Sequence, residues 1–232
     1  MPHLGFIPAR GGSKGIPGKN IAKVCGKPLI QWTIEAALGS GVIDRLIVST
    51  DHPDIAQVAR ECGAEVPFMR PDALAQDDTA TAPVVEHAVK SLAFQGTVVL
   101  LQPTSPLRLP MDIARCTELH RRHGKTVVSI TETKLHPSWM FGLADGDRIV
   151  VNSPVAPQRQ SQQPRYIPNG AVYVFDANAG LELANSIGYI MPAIRSVDID
   201  TPLDLMFAEF LLGRRPAMLS ETDLQAFADS FV

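Results

Sequence analysis

Short apolar runs alternate with amphipathic, helix-like segments from the N-terminus to about residue 130, and this alternation constrains the fold more than any other feature. Leu4–Pro8 and Val98–Leu101 have the length of buried strands, and each is followed by a polar loop. Further strands are expected at residues 46–48, 66–69, 126–130, 171–175 and 195–199, and helices at 28–39, 53–62, 81–93, 110–122 and 201–212. Such alternation builds βαβ units joined by right-handed crossovers. We therefore predict an α/β fold, a three-layer sandwich whose central sheet is mainly parallel and carries its polar loops along one edge.

The alternation stops between residues 131 and 168, where the chain is rich in Pro, Gln and Arg. An irregular stretch of this length usually covers a site or contacts a partner. We interpret residues 134–170, approximately, as an excursion from a single domain of residues 1–213. Residues 214–232 are expected to form a C-terminal amphipathic helix. Its apolar stripe consists of Leu224, Phe227, Ala228 and Phe231. Docking of this tail on its own domain and contact with a second subunit are both open.

Composition excludes several classes of protein. The net charge is −3 and there is no long basic run, so binding of nucleic acid through a charged face is not expected. The three cysteines are far apart and form no CxxC spacing, which argues against a disulfide framework and favours a reducing compartment. The sequence passes from Met1 into the first predicted strand without a signal-peptide pattern, and its apolar runs are too short to span a membrane. We expect a cytoplasmic protein.

The loop after the first predicted strand has the composition of a polyphosphate site. Residues 8–20 read PARGGSKGIPGKN, with four glycines and the cations Arg10, Lys14 and Lys19. Glycines let the backbone bend so that its N–H groups face an anion. The spacing fits neither a P-loop nor the GxGxxG pattern of dinucleotide-binding proteins. The alternative is a flexible surface turn with solvated lysines.

Asp198 and Asp200 alternate at the end of the last predicted strand. Residues i and i+2 of a strand face the same side, so the two carboxylates predict a hard oxygen site suited to Mg²⁺. The alternative is capping of the helix that begins at Thr201–Pro202, which explains one aspartate but not two. Asp204 is expected to be a first-turn helix residue.

Several segments, in order, resemble those of the acylneuraminate cytidylyltransferases, enzymes that make CMP-activated sialic acids and related sugars. The resemblance covers roughly residues 4–212, and its motifs are highly specific as an ordered set. Besides residues 8–20 they are Ile47-Val48-Ser49-Thr50-Asp51, Arg70-Pro71 with Leu74-Ala75, Asp78-Thr79-Ala80, the run from Leu100 to Arg108, Pro168-Asn169-Gly170-Ala171-Val172-Tyr173 and Asp198-Ile199-Asp200.

The resemblance implies a Rossmann-like fold and a Mg²⁺-dependent cytidylyltransferase that joins CMP from CTP to a nonulosonic acid. It places Arg10, Lys14, Lys19, Asn20, Arg70 and Ala80 around CTP. It places Gln102 and Arg159 near the sugar, and it implies that Asp198 and Asp200 are the ligands of the metal. Arg10, Lys19, Asp198 and Asp200 would be the catalytic set. It also implies a homodimer that forms through the excursion.

Other functions remain open at this point. Ser138-Trp139-Met140-Phe141 stands where some sialic acid enzymes carry a lysine, so N-acetylneuraminic, legionaminic and related acids are all candidate sugars. A cytidylyltransferase for the eight-carbon sugar Kdo is a more distant alternative. A nicotinamide-dependent dehydrogenase would need the missing GxGxxG pattern. A catalytically silent nucleotide-binding protein would have no need of the cations and the aspartate pair together.

Overall fold

The computed structural model describes residues 1–133, 135, 139–151 and 163–214. Its strands are β1 (His3–Pro8), β2 (Lys23–Val24), β3 (Lys27–Pro28), β4 (Arg45–Ser49), β5 (Thr97–Leu100), β6 (Val127–Thr133), β7 (Phe141–Ala144), β8 (Arg148–Val151), β9 (Arg165–Asp176) and β10 (Ile187–Ile190). Its α-helices are α1 (Leu29–Gly39), α2 (Pro53–Glu61), α3 (Thr81–Ser91), α4 (Pro110–His123) and α5 (Pro202–Leu212). The tail helix is predicted at residues 214–232, and all of these except Arg214 lie outside the described residues.

Six strands form one central sheet in the order β10-β6-β9-β5-β1-β4. The β1–β4, β1–β5 and β10–β6 pairs are parallel. Within this described sheet, β9 alone runs antiparallel, and it lies between β5 and β6. The predicted α/β sandwich with a mainly parallel sheet is therefore confirmed.

The strands bury side chains on both faces of the sheet, which is why their sequences are continuously apolar. Helices α1, α2 and α4 cover one face, where residues such as Ile34, Ile55 and Ile113 pack against Ile7 and Val99. Helix α3 packs on the opposite face. Among the helices of the described ranges, none has the length and apolar character of a membrane-spanning segment.

A third apolar cluster determines where two functional loops lie. It joins Ile16 of the Gly-rich loop, Ile199 between the two candidate metal ligands, and Leu211 of α5. Ile16, Ile199 and Leu211 are each at most 9% exposed. Burial of Ile16 and Ile199 in one cluster brings the two loops together, although they are far apart in sequence.

Two predicted strands differ from the structure. Residues 195–199 do not form a strand: a 3₁₀ turn spans Ala193–Arg195, and the following residues are irregular. The strand that lies at the edge of the sheet beside β6 is β10, which was not predicted. Its Gly188 leaves room for the side chain of Ile130. Residues 66–69 contribute only an isolated bridge between Met69 and Thr50.

The interruption after β6 is also shorter than predicted. Residues 165–170 belong to β9, which pairs with the C-terminal half of β6. Strands β7 and β8 form a separate two-stranded hairpin within the interruption. Helix α5 begins as predicted, with Thr201 and Asp204 forming a reciprocal capping box.

Candidate active site

The Gly-rich loop after β1 is held in place by side chains that its sequence supplies. Asn20 is 5% exposed, and its Nδ2 donates to the backbone oxygen of Arg10 over 2.8 Å. Gly18 adopts φ 61° just before a 3₁₀ turn that begins at Lys19. At the other end, the amide of Gly11 donates to Asp51 Oδ1 over 2.9 Å. The loop is therefore built into the fold and is not the flexible surface turn of the alternative interpretation.

This loop forms one wall of a cavity of about 380 Å³ at the edge of the sheet that follows β1 and β5. Seven of the predicted site residues line it: Arg10, Lys14, Lys19, Asn20, Arg70, Gln102 and Asp200. Ala80 lies between Thr79 and Thr81, which also line the cavity. Arg159, predicted to contact the sugar, lies outside the described residues.

Asp77, which sequence reasoning missed, pairs with two of the predicted phosphate-binding cations. Its Oδ1 lies 2.6 Å from Arg10 Nη1, and its Oδ2 lies 2.6 Å from Lys14 Nζ. The two cations lower the pKa of the Asp77 carboxyl, Lys14 being the larger cause, so Asp77 is ionised at neutral pH.

Lys19 connects the Gly-rich loop to the aspartate segment. Its side chain is 14% exposed, and Nζ donates to the Ile199 oxygen over 2.7 Å and to Asp200 Oδ1 over 3.2 Å. At Gly15 the backbones approach so closely that a Cβ would overlap the carbonyl oxygen of Asp200. The structure therefore brings together the predicted phosphate loop and the predicted metal ligands.

Both aspartates of this segment reach solvent. Asp200 is 75% exposed at its side chain, and Asp198 is exposed as well. Partial desolvation by the surrounding protein nevertheless raises the pKa of the Asp198 carboxyl above its ordinary value, a hydrogen bond from Thr104 opposes the rise, and the charge of Asp200 adds to it. Helix α5 is capped by Asp204, which accepts from the Thr201 amide over 2.7 Å and from the Asp200 amide over 3.1 Å. Helix capping therefore does not account for the Asp198–Asp200 pair.

The pair fits a hard divalent cation. A positive ion beside Asp198 would offset both the partial desolvation of its carboxylate and its repulsion from Asp200. In the part of the chain that the structure describes, no three His, Cys, Asp or Glu side chains converge as a metal site. Asp198 and Asp200 would be the acidic ligands, and Mg²⁺ is an ion that commonly completes its shell with water and substrate phosphates.

Arg70 anchors the loop on the opposite wall of the cavity. It is 5% exposed, its Nε donates to Ser49 Oγ over 3.1 Å, and its Nη2 donates to the Ser49 oxygen. Burial lowers its pKa to about 10, with Asp51 opposing the shift and Arg10 adding to it. The guanidinium is charged at neutral pH and adds a third cation beside Arg10 and Lys14.

Gln102 and Asp198 converge on Gly170. A Cβ at Gly170, whose φ is +73°, would lie 2.9 Å from Gln102 Oε1 and 3.5 Å from Asp198 Oδ2. The buried side chain of Arg108, which is 1% exposed, holds the backbone of Gln102 in place. Its Nη2 donates to the backbone oxygen of Gln102, and its Nε donates to the Ala171 oxygen over 2.7 Å. Burial lowers the pKa of Arg108 to about 9. Arg108 is in a motif noted in the sequence, but its buried position could not be predicted from it.

Asn169 joins three elements around the aspartate segment. Ser129 Oγ donates to Asn169 Oδ1 over 2.6 Å, and Asn169 Nδ2 donates to Ser196 Oγ over 2.9 Å. The side chain of Asn169 thus stabilises the bulge between β6 and β9 and fixes the start of residues 196–200. Arg195, which is 7% exposed, also holds the start of this segment. Its Nη2 donates to Asp112 Oδ1 of α4 over 2.9 Å.

The comparisons with known proteins agree with the resemblance found in the sequence. A family model described as cytidylyltransferase matches residues 4–185. The chain is 38% identical to the CMP-N,N'-diacetyllegionaminic acid synthase of Legionella pneumophila, over 91% of this chain and 97% of that protein. It is 34% identical to the pseudaminic acid cytidylyltransferase of Campylobacter jejuni, over 91% and 96% of the two chains. It is 33% identical to the N-acylneuraminate cytidylyltransferase of Streptococcus agalactiae, over 89% of this chain and 52% of that protein.

Solved structures of low sequence identity share the fold. A CMP:2-keto-3-deoxy-manno-octonic acid synthetase complexed with CTP superposes with a TM-score of 0.71 at 18% identity, covering 92% of this chain and 99% of that one. The 4-diphosphocytidyl-2C-methyl-D-erythritol synthase of Anaerococcus prevotii gives 0.64 at 14% identity, over 92% and 96% of the chains.

Proposed function

Because the chain belongs to the cytidylyltransferase family, we propose that it transfers CMP from CTP to the anomeric hydroxyl of a nonulosonic acid and releases pyrophosphate. The observation that carries this proposal is the cavity itself, which Arg10, Lys14 and Lys19 line together with Asp200, and where the Gly-rich loop meets the backbone of Asp200 at Gly15. Three relatives with different sugars in their names, legionaminic, pseudaminic and acylneuraminic, support the nonulosonic class.

The proposed reaction is an in-line displacement at the α-phosphorus, the arrangement of attacking and leaving oxygens that is usual in phosphoryl transfer. The hydroxyl oxygen of the sugar forms a bond to this phosphorus as the bond to the bridging oxygen of the β-phosphate breaks. The hydroxyl proton passes to the Asp198–Asp200 carboxylates, and pyrophosphate leaves with the electron pair of the broken bond. Arg10, Lys14 and Lys19 stabilise the charge on the leaving group, since they lie on one wall of the cavity.

Asp198 and Asp200 would hold Mg²⁺ in this proposal, and Mg²⁺ would supply charge neutralisation at the phosphate oxygens when bound. Lys19 keeps the aspartate segment in position through the Ile199 oxygen. Gln102, beside Gly170 and Asp198, would orient the sugar, and Arg159 would contact its carboxylate. Asn20, Arg70 and the backbone at Ala80 would surround the cytidine.

Pyrophosphate release is the direct test. We expect release from CTP and Mg²⁺ with at least one of legionaminic, pseudaminic and N-acetylneuraminic acids, and loss of release when a chelator is added. Kdo serves as the comparison sugar, because the Kdo enzyme matches this chain in fold at only 18% identity. CTP binding without pyrophosphate release for any sugar would favour a silent nucleotide binder. Release that survives the chelator would contradict the role of Mg²⁺.

We also propose that the protein forms a homodimer through the β7–β8 hairpin. Phe141 lies opposite Val151 and Leu143 opposite Ile149, so these four side chains share one face. Their exposures are 48%, 55%, 72% and 60% in that order. An isolated two-stranded hairpin is marginally stable in water and needs a covered face. A second copy of the same hairpin presents a matching apolar surface.

Leu143→Asp is expected to convert the dimer into monomers, because the new carboxylate would be buried without a partner in the interface. We expect the dimer dissociation constant to rise by about 100-fold or more, measured by light scattering across a dilution series. Leu183→Asp is the matched control, since Leu183 is 53% exposed and lies outside the hairpin. A monomeric unmodified protein, or a Leu143→Asp variant that stays dimeric, would contradict the proposal.

A further inference from the structure

The carboxylate that pairs with two cations of the Gly-rich loop has no place in the reaction described above. Asp77 bridges Arg10 and Lys14 with one carboxylate oxygen on each, at 2.6 Å in both cases. A bridging phosphate would present two oxygens to the same pair of cations in the same way. Asp77 is therefore positioned as a carboxylate copy of a substrate phosphate.

We infer that Asp77 is a positioning and specificity-determining residue that occupies the β,γ-phosphate site until a polyphosphate displaces it; this inference rests on the proposed function. In the free protein Asp77 keeps Arg10 and Lys14 in place, which matters because the Lys14 side chain is 81% exposed. Two cations on one loop repel each other, and the bridging carboxylate offsets that repulsion.

The loop that carries Asp77 is suited to an exchange of this kind. Arg70 fixes its start through Ser49, and α3 begins at its other end with Thr81. Asp77 lies between these anchors, and its side chain is 42% exposed. Movement of Asp77 away from the cations therefore does not require the core to be disturbed.

The exchange has a consequence for ligand choice. An incoming ligand must compete with an ionised carboxylate that is held by two cations. It therefore needs to present a negatively charged oxygen to Arg10 and another to Lys14. CTP and pyrophosphate meet this requirement, whereas CMP has no β- or γ-phosphate. Return of Asp77 to Arg10 and Lys14 also favours departure of pyrophosphate after the transfer.

Asp77→Asn removes the competing charge and nearly keeps the shape of the side chain. We expect the dissociation constants of both CTP and inorganic pyrophosphate to fall by about 5-fold, because two exposed ion pairs no longer have to be broken. The affinity for CMP is expected to stay within about 1.5-fold of that of the unmodified protein. Inhibition of the transfer by pyrophosphate should strengthen by the same factor as its binding. Isothermal titration calorimetry of the three ligands, with Mg²⁺ present, measures all of these affinities.

Asp78→Asn is the matched control, since Asp78 is the neighbouring acid of the same loop. In the described part of the chain, Asp78 forms no ion pair with Arg10 or Lys14. A purely structural role for Asp77 would weaken CTP binding on substitution, so weaker or unchanged binding in Asp77→Asn would overturn the inference. Equal tightening in Asp78→Asn would do the same. Failure of the unmodified protein to bind CTP and pyrophosphate would overturn the proposed function, and this inference with it.

Discussion

Asp200→Asn is expected to lower kcat by about 1000-fold while the protein remains folded. A metal held by carboxylates stabilises transition-state charge by several kcal/mol, and about 4 kcal/mol corresponds to this factor. The side chain of Asp200 is 75% exposed, and Lys19 still donates to the Ile199 oxygen when the carboxylate is removed. The measurement is kcat as a function of Mg²⁺ concentration, together with the melting temperature.

Two comparison variants separate the metal role from the helix-capping role. Asp204→Asn disrupts the capping box of α5 and is expected to reduce the free energy of unfolding by about 1 kcal/mol, with a much smaller effect on kcat. Asp147→Asn, in the exposed turn between β7 and β8, should change neither quantity. A near-normal kcat for Asp200→Asn would remove Asp200 from the metal site.

Gly15→Ala is expected to reduce kcat/KM by about 100-fold although it adds a single methyl group. The new Cβ would overlap the carbonyl oxygen of Asp200, which is backbone and cannot rotate away. The Gly-rich loop and the aspartate segment must then move apart. Displacement of reacting groups by about 1 Å is enough for a loss of this size.

Gly12→Ala provides the control within the same loop. A Cβ at Gly12 meets no atom within 4 Å in the described part of the chain, so kcat/KM should stay within about 3-fold of its original value. Steady-state kinetics of both variants, with circular dichroism to verify folding, decides the prediction. Equal losses in the two variants would show that loop flexibility matters, and not the contact between Gly15 and Asp200.

The parts of the molecule that depend on local sequence could be predicted. Apolar runs indicated β1 and β5, and the Thr201–Pro202 sequence with Asp204 indicated the start of α5. The cations of the Gly-rich loop were recognisable because glycines and charges are concentrated after a strand.

The parts that depend on distant contacts could not be predicted. Asp77 meets Arg10 across a sequence separation of 67 residues, and nothing in its own neighbourhood indicates that contact. The alternation of Asp198, Ile199 and Asp200 suggested a strand. The alternation exists because Ile199 is buried and Asp200 is exposed, but the segment hydrogen-bonds to Thr104 through the Ile199 amide and forms no ladder. A period of two in the sequence does not distinguish these cases.

The position of β9 affects the order in which the chain can fold during synthesis. Its residues, Arg165–Asp176, fill the gap between β5 and β6, which are translated earlier. Until this segment leaves the ribosome, β5 has one unpaired edge and β6 has two, since β10 is translated later still, and such edges promote association between chains. Completion of the active-site edge therefore waits for late translation, and we expect the nascent chain to be most prone to association between the emergence of β6 and that of β9.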